Sequence, residues 1–116
     1  MSLFTDPVQS AVERALDGTA LRQRVTADNI ANAMTPGYRA QRVRFEAALG
    51  RALDAGRPEA AVVQVHDSGA VARLDGNNVA MEDEVVDQVK TGLQYQALVE
   101  AASHKLGLLR IAIEGR

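Results

Sequence analysis

The sequence predicts a mainly α protein: long N- and C-terminal helices packed as an antiparallel coiled-coil-like pair, with a short irregular or small-β middle segment. Three observations carry this. Apolar residues recur at three- and four-residue steps through about 7–34 and again through about 79–113. Between them, over 35–78, fall the turn-forming stretches "TPG", "DAGRPEA" and "LDGNN". Hydrophobic residues make up 47% of the chain but aromatics only 3%, with no Trp. Ala, Val and Leu suit close helix contact better than a thick core or an aromatic-lined ligand pocket. At 116 residues the chain is expected to form a single domain, 1–116.

The first helix is expected from Pro7 to about Ala33 or Met34. Asp6 fits the N-cap, and Pro7 fits N1, where a missing N–H costs nothing. Val8, Val12, Leu16, Ala20, Gln23, Ala27, Ile30 and Met34 form one modest stripe, opposite Glu13, Arg14, Asp17 and Arg24. Gly18 in the interior weakens such a helix by about 1 kcal/mol relative to Ala. The helix therefore needs a partner. Pro36 disfavours the α conformation at Thr35, and Pro36-Gly37 suits the central pair of a type II turn.

The stretch "YRAQRVRF" then reads as extended, with Arg39, Gln41, Val43 and Phe45 on one side. A short helix follows from about Glu46 to Leu53, "DAGRPEA" reads as a turn, "AVVQV" as a brief strand and "LDGNN" as another turn. The second long helix runs from about Met81 to Ile113. Its stripe of Met81, Val85, Val89, Gly92, Gln96, Val99, Ala102, Leu106, Leu109 and Ile113 lies near a 3.5-residue period. Ala80 offers no capping side chain, so Asn78 is the expected cap.

Several functions are disfavoured by composition. A net charge of -2 and a pI near 5.6 argue against a dedicated nucleic-acid binder. There is no cysteine, hence no disulfide, thiolate metal site or Cys nucleophile. No apolar run is long enough for direct membrane insertion, and "MSLFTDPVQSAVERALDG" lacks the basic head and apolar run of a Sec-type signal peptide. His66-Asp67-Ser68 contains the residue types of a hydrolytic triad, but adjacency does not supply triad geometry, so a solvated turn is expected. Ser103-His104-Lys105 reads as helix surface. "DGNNVAMEDE" fails the EF-hand template, with Ala80 at the Gly position and Val86 at the bidentate Glu position. Its acidic run, Glu82 to Glu84, is expected to complement the helix dipole. The three arginines of "YRAQRVRF" read as a solvated edge or a charged protein contact rather than a single-strand surface. No active site, cofactor site or metal site is visible, so an enzyme is not expected.

Asn29 and Asn32 share one helix face, where helices rarely favour asparagine. Two readings fit them equally: caps that loosen a helix end, or amides that bond the turn or a neighbouring helix and fix register.

"ADNIANAMTPGYRA", Ala27 to Ala40, resembles the N-terminal signature of bacterial flagellar rod and hook proteins, Asn-Ile-Ala-Asn-x-x-Thr-x-Gly-Tyr/Phe. The likeness rests on Asn29, Ile30, Ala31, Asn32, Thr35, Gly37 and Tyr38. "LDGNNVAMEDE" and "VKTGLQYQALVEAASHKLGLLRIAI" are similar to the C-terminal half of proximal-rod proteins, through Asp75, Gly76, Asn77, Asn78, Val79, Glu84, Tyr95 and Gln96. Met34 replaces a more usual polar residue, and Ala80 an expected Asp. Only about Gly50 to Val71 lacks a counterpart, and the short middle argues against the larger distal-rod and hook proteins.

The resemblance implies a structural subunit of the basal-body rod, the torque-transmitting axle that spans the periplasm, exported by the flagellar type III apparatus without a cleaved signal. Implied partners are other rod subunits and the basal-ring and export-gate proteins at the rod base, with no cofactor and no nucleic acid. Asn29, Ile30, Ala31, Asn32, Thr35, Pro36, Gly37 and Tyr38 form the expected assembly motif. Asp75, Gly76, Asn77 and Asn78 form the expected turn and helix start, and Val89, Leu93, Gln96, Val99 and Leu106 the expected helix-packing set. The asparagines then read as register-setting contacts. Rival readings are a helical adaptor at the export gate and a small regulatory helical-hairpin module. Both stripes are narrow, so the isolated monomer is expected to be partly disordered at its ends and to fold on assembly.

Overall fold

A computed structural model describes residues 6–114; the side chains of Leu109 and Ile113 in the expected stripe, and Met1–Thr5 of the stretch read for a signal sequence, lie outside the described residues. The chain forms a rod-like body of 63 × 28 × 14 Å. In order it comprises α1 (Pro7–Ala31), β1 (Gln41–Arg44), α2 (Glu46–Asp54), a 3-10 turn (Pro58–Ala60), β2 (Gln64–Asp67) and α3 (Met81–Glu114).

The start of α1 follows its sequence signals. Asp6 is the N-cap, its Oδ1 accepting from the Val8 N–H at 2.9 Å, with Pro7 in the first turn. The end differs from the expected Ala33 or Met34: α1 stops at Ala31, with Asn32 as C-cap. There the backbone tightens, as Ala33 N–H donates three residues back to the Ile30 carbonyl at 3.2 Å. Tyr38 N–H then donates to the Thr35 carbonyl at 3.2 Å, and Gly37 has φ 77°. That is a Pro-Gly reversal whose third residue needs positive φ.

β1 and β2 pair antiparallel, with Val43 opposite Val65 and Arg42 opposite His66. The strand expected at "AVVQV" begins later, at Gln64. The 3-10 turn and a buried Ala61 occupy the chain before it. Of the four residues expected on one side, Val43 and Phe45 are buried, whereas Arg39 and Gln41 are exposed.

Phe45 explains Gly18. Its ring lies against the helix backbone there, where a Cβ would come within 2.5 Å of the ring. Val25, Val43 and Phe45 form a small core, with Ala15, Leu21, Leu49 and Val63 around it. Arg22 covers the ring, its guanidinium 4.9 Å from the centroid, donating to the Val43 carbonyl and pairing with Glu46.

α1 and α3 run antiparallel over most of their length. Asp6 pairs with Lys105 at one end, and Asn29 bonds Glu84 at the other. Their facing surfaces overlap the expected stripes only in part: Gln23 meets Gly92, and Val12, Leu16, Ala20, Ile30 and Ala102 are half-buried. On α1 the buried positions are Gly18, Thr19, Val25, Thr26 and Asn29, whereas Val8, Ala27 and Met34 of the stripe are exposed. On α3 the less exposed positions are Glu84, Asp87, Gln88, Thr91, Gly92, Tyr95, Leu98, Ala102 and Lys105, and all but Asp87 and Gly92 fall at alternating four- and three-residue steps. That is the coiled-coil period, but occupied mostly by polar or small side chains. Gln88 Oε1 is even buried without a partner. Val85, Val89, Leu93, Val99 and Leu106 point outward instead. Polar contacts at the two ends, Asp6 with Lys105 and Asn29 with Glu84, join α1 to α3.

Candidate functional site

The two sequence motifs meet at one end of the hairpin, where α1 ends and α3 begins. Asn29 is fully buried. Its Nδ2 donates to the Gln41 carbonyl at 2.9 Å and to Glu84 Oε2 at 3.1 Å, while its Oδ1 accepts from Gln41 N–H at 3.1 Å. One amide thus pairs with both backbone groups of Gln41, as a neighbouring strand would, and locks the chain after the turn onto α1. Asn32 acts differently. Its Nδ2 donates to the Asp28 carbonyl at 2.8 Å and its Oδ1 accepts from Thr35 Oγ1 at 3.1 Å, so it is a helix-end cap. The two readings of the asparagines therefore divide: Asn29 fixes register within the chain, and Asn32 closes the helix.

The second motif docks onto the first. Asn77 is fully buried, and its Nδ2 donates to the carbonyls of Asn32 and Thr35 at 2.9 and 2.8 Å, adding a second donor to each and tying the turn after α1 to the second motif. Asn77 Oδ1 accepts from Val79 N–H, and Asp75 Oδ1 from Asn77 N–H, closing the turn. Gly37 N–H donates to the Asp75 carbonyl at 2.9 Å. The two positive-φ glycines face each other: a Cβ on Gly76 would lie 3.3 Å from Gly37 Cα. Asn78, expected to cap α3, is used elsewhere. Its Oδ1 accepts from Ala40 N–H and its Nδ2 donates to the Ala70 carbonyl at 3.0 Å, bridging two segments.

Electrostatics completes the clasp. The Glu84 side chain is fully buried, 2.7 Å from Arg42 Nη1. All three acidic residues lie in the first turn of α3, as the helix-dipole reading expects; Glu82 and Asp83 are exposed, and Glu84 also pairs with Arg42. Likewise Arg42 turns inward, while Arg39 pairs with Asp67 at 3.4 Å, so the arginine run is not simply a solvated edge. Tyr38 is half-buried beside Asn29; burial raises its phenol above the ordinary value, and the Asp28 and Glu84 charges add to this. Arg73, which no sequence pattern singles out, donates to the carbonyls of Val79 and Ala33, each at 2.7 Å. A small core of Ala33, Ala40 and Val79, with Tyr38 against it, lies beneath.

Of the other expected assembly residues, Ile30 is half-buried and Ala31, Thr35, Pro36 and Gly37 are exposed. Val89, Leu93, Gln96, Val99 and Leu106 follow the clasp along α3 and are all exposed. His66 Nδ1 lies 2.8 Å from the Asp67 carbonyl and Ser68 Oγ accepts from Ala70 N–H, so these side chains serve the strand end. Among the described residues no group of three His, Asp or Glu side chains could hold a metal ion, and no helix is long and apolar enough to cross a membrane.

A family model described as "Flagella basal body rod protein" matches residues 11–39, which contain most of α1 and the reversal. The similarity to individual proteins extends much further. The chain is 33% identical to the flagellar basal body rod protein FlgB of Bacillus subtilis (strain 168), over 99% of this chain and 98% of that one. It is 30% identical to FlgB of Escherichia coli (strain K12), over 89% of this chain and 91% of that protein. It is 32% identical to FlgB of Salmonella typhimurium (strain LT2), over 85% and 88%. Near-complete coverage at this identity, with both halves of the clasp inside it, makes the chain a member of the flagellar basal body rod protein FlgB family.

Proposed function

We propose that this rod-family subunit assembles through the outer face of α3 and through the clasp end, making its contribution to the flagellar axle mechanical. The observation that carries this reading is the inversion of the hairpin. A polar seam faces α1, while Val85, Val89, Leu93, Val99 and Leu106 face solvent on one helix. A line of exposed apolar side chains this long marks a surface that works covered. Each such side chain gains roughly 1.5–3 kcal/mol when fully buried, so association with neighbours supplies what the seam lacks. The clasp has a second mechanical use. It ties both helix ends through buried hydrogen bonds, so load applied to α3 passes to α1 without bending the turn between them.

On this reading the partners are other rod subunits, with basal-ring or export-gate proteins at the rod base, and the chain is exported without a cleaved signal into a rod that spans the periplasm. A helical adaptor at the export gate and a regulatory hairpin have no separate observation in their favour. Deleting the chain tests the reading: basal bodies purified from the deletion strain should lack rods, with motility abolished. Intact rods accompanied by altered flagellar gene expression would point to a regulator instead.

A further inference from the structure

We infer that the outer edge of β2 takes up an extended segment of a partner protein as a third strand, and that this segment alternates acidic and apolar residues. Ser68 N–H donates to the Ala40 carbonyl at 2.9 Å, one step beyond the Gln41–Asp67 pair. An antiparallel ladder bonds every second pair, so Arg42–His66 and Arg44–Gln64 carry the bonds between β1 and β2. Gln41 and Val43 on β1, and Val65 and Asp67 on β2, therefore turn their backbone groups outward. On β1 these groups face α1. Asn29 bonds both the N–H and the carbonyl of Gln41, and Arg22 donates to the Val43 carbonyl. On β2 no strand follows, and the Val65 N–H and carbonyl and the Asp67 N–H meet no partner among the described residues. Nor is this edge blunted. Gln64–Asp67 holds neither Lys nor Pro, and Gln64, Val65 and Asp67 are exposed.

Side chains alternate across a strand, so the two faces of the sheet set what an added strand carries. Arg42 lies opposite His66 and shares its face, as Arg44 does with Gln64. That face borders a cleft whose walls include Arg22, Arg42, Arg44, Glu46, Asp87 and Lys90. Glu46 pairs with Arg22, and Asp87 lies 3.9 Å from Arg42, which also holds Glu84. Arg44 and Lys90 are exposed and have no ion-pair partner among the described residues. A chain of net charge -2 thus presents a cationic surplus beside an open strand edge. The opposite face carries Val65, 44% exposed, and Asp67, which pairs with Arg39. Acidic side chains suit the first face, and an apolar one covers Val65 on the second. A nucleic-acid strand would match the charge but lacks the alternating N–H and carbonyl groups that complete a ladder. In strand addition the main chain supplies affinity and the alternating side chains supply selectivity. This surface is separate from the outer face of α3, and the inference does not require the rod-subunit reading.

The probe is a short blocked peptide of alternating Glu and Val, with a Lys and Val peptide of the same length as control. The isolated chain should bind the Glu peptide at least tenfold more tightly, read by fluorescence anisotropy. Amide exchange at Val65 and Asp67 should slow at least tenfold on binding, because their N–H groups enter the new ladder. Val65→Pro removes an outward N–H and no bond to β1, so circular dichroism should stay unchanged while affinity falls at least tenfold. Arg44→Glu is the second variant, should the proline disturb the strand: it should weaken the Glu peptide and strengthen the Lys peptide. Equal binding of the two peptides by the wild-type chain, or binding that leaves exchange at Val65 and Asp67 unchanged, overturns the inference. Protection of these N–H groups on concentrating the chain alone also overturns it, because the occupant would then be a second copy.

Discussion

Replacing Gly18 by Ala should destabilise the fold, although helix propensity alone argues the reverse. An interior Gly→Ala change is worth roughly 0.5–1 kcal/mol in favour of a helix. Here the new Cβ would sit 2.5, 2.6 and 2.7 Å from Cδ1, Cε1 and Cγ of Phe45. Carbon atoms prefer about 3.5–4.0 Å, so the ring must retreat by roughly an ångström. It has little room, being buried against Val25 and Val43 with the Arg22 guanidinium over its face. Overpacking of this kind costs about 1–3 kcal/mol, leaving a net loss of about 0–2.5 kcal/mol, centred above 1, after the propensity gain. Gly50→Ala is the control. It is also helical but meets nothing within 4 Å, and should stabilise by about 0.5–1 kcal/mol. Urea unfolding followed by circular dichroism at 222 nm measures both. A Gly18→Ala chain as stable as wild type, beside a stabilised Gly50→Ala chain, would refute the packing of Phe45 on α1.

Asn29→Ala should cost about 2–3 kcal/mol, because it strips partners from the Gln41 backbone and from the buried Glu84; unchanged urea midpoints would contradict the clasp. Gly37→Val should cost about 1–2 kcal/mol through positive φ alone, since no atom lies within 4 Å of its Cβ, and Gly37→Asn should cost less. Equal midpoints for the two substitutions would argue against a backbone origin. Asp6 is held below its ordinary carboxylate value, first by the Lys105 hydrogen bond and then by the Val8 N–H. A depressed value means the contribution is present above the unfolded pKa near 3.8 and lost as pH falls through the lower folded value. Helicity at the start of α1 should therefore fall in that acid range, and Lys105→Ala should move the loss to higher pH. Chemical-shift titration of the Asp6 carboxyl reads this directly.

Local signals were legible in the sequence, and long-range ones were not. Asp6-Pro7 marks the start of α1 and Pro36-Gly37 its reversal, because capping and φ preference act within four residues. The motif stretches around Asn29 and Asn77, picked out locally, meet at one end of the molecule. What sequence does not carry is which helix face meets which. Periodicity placed the α3 stripe through Val89 and Val99, yet the seam runs through Glu84, Thr91 and Leu98. Periodicity reports where apolar residues lie, not whether they pack on their own chain; on the proposed reading the outer ones face neighbours. Asn78 differs for a related reason: its place before α3 suggests a cap, but its amide bridges Ala70, eight residues back, to Ala40, thirty-eight back. The β2 boundary slipped because pairing with Gln41–Arg44, not local propensity, selects Gln64–Asp67. Arg73 carries no local pattern at all.

The central claim is that the outer face of α3 is an assembly surface, and thiol protection tests it most directly. Leu93 is 63% exposed in the isolated chain, and no native cysteine competes with a thiol placed there. A Leu93→Cys chain should react with a maleimide as fast as a free exposed thiol when dilute. In rods purified with their basal bodies, the same thiol should label at least tenfold more slowly. Equal labelling rates in the free chain and in the rod would contradict the account.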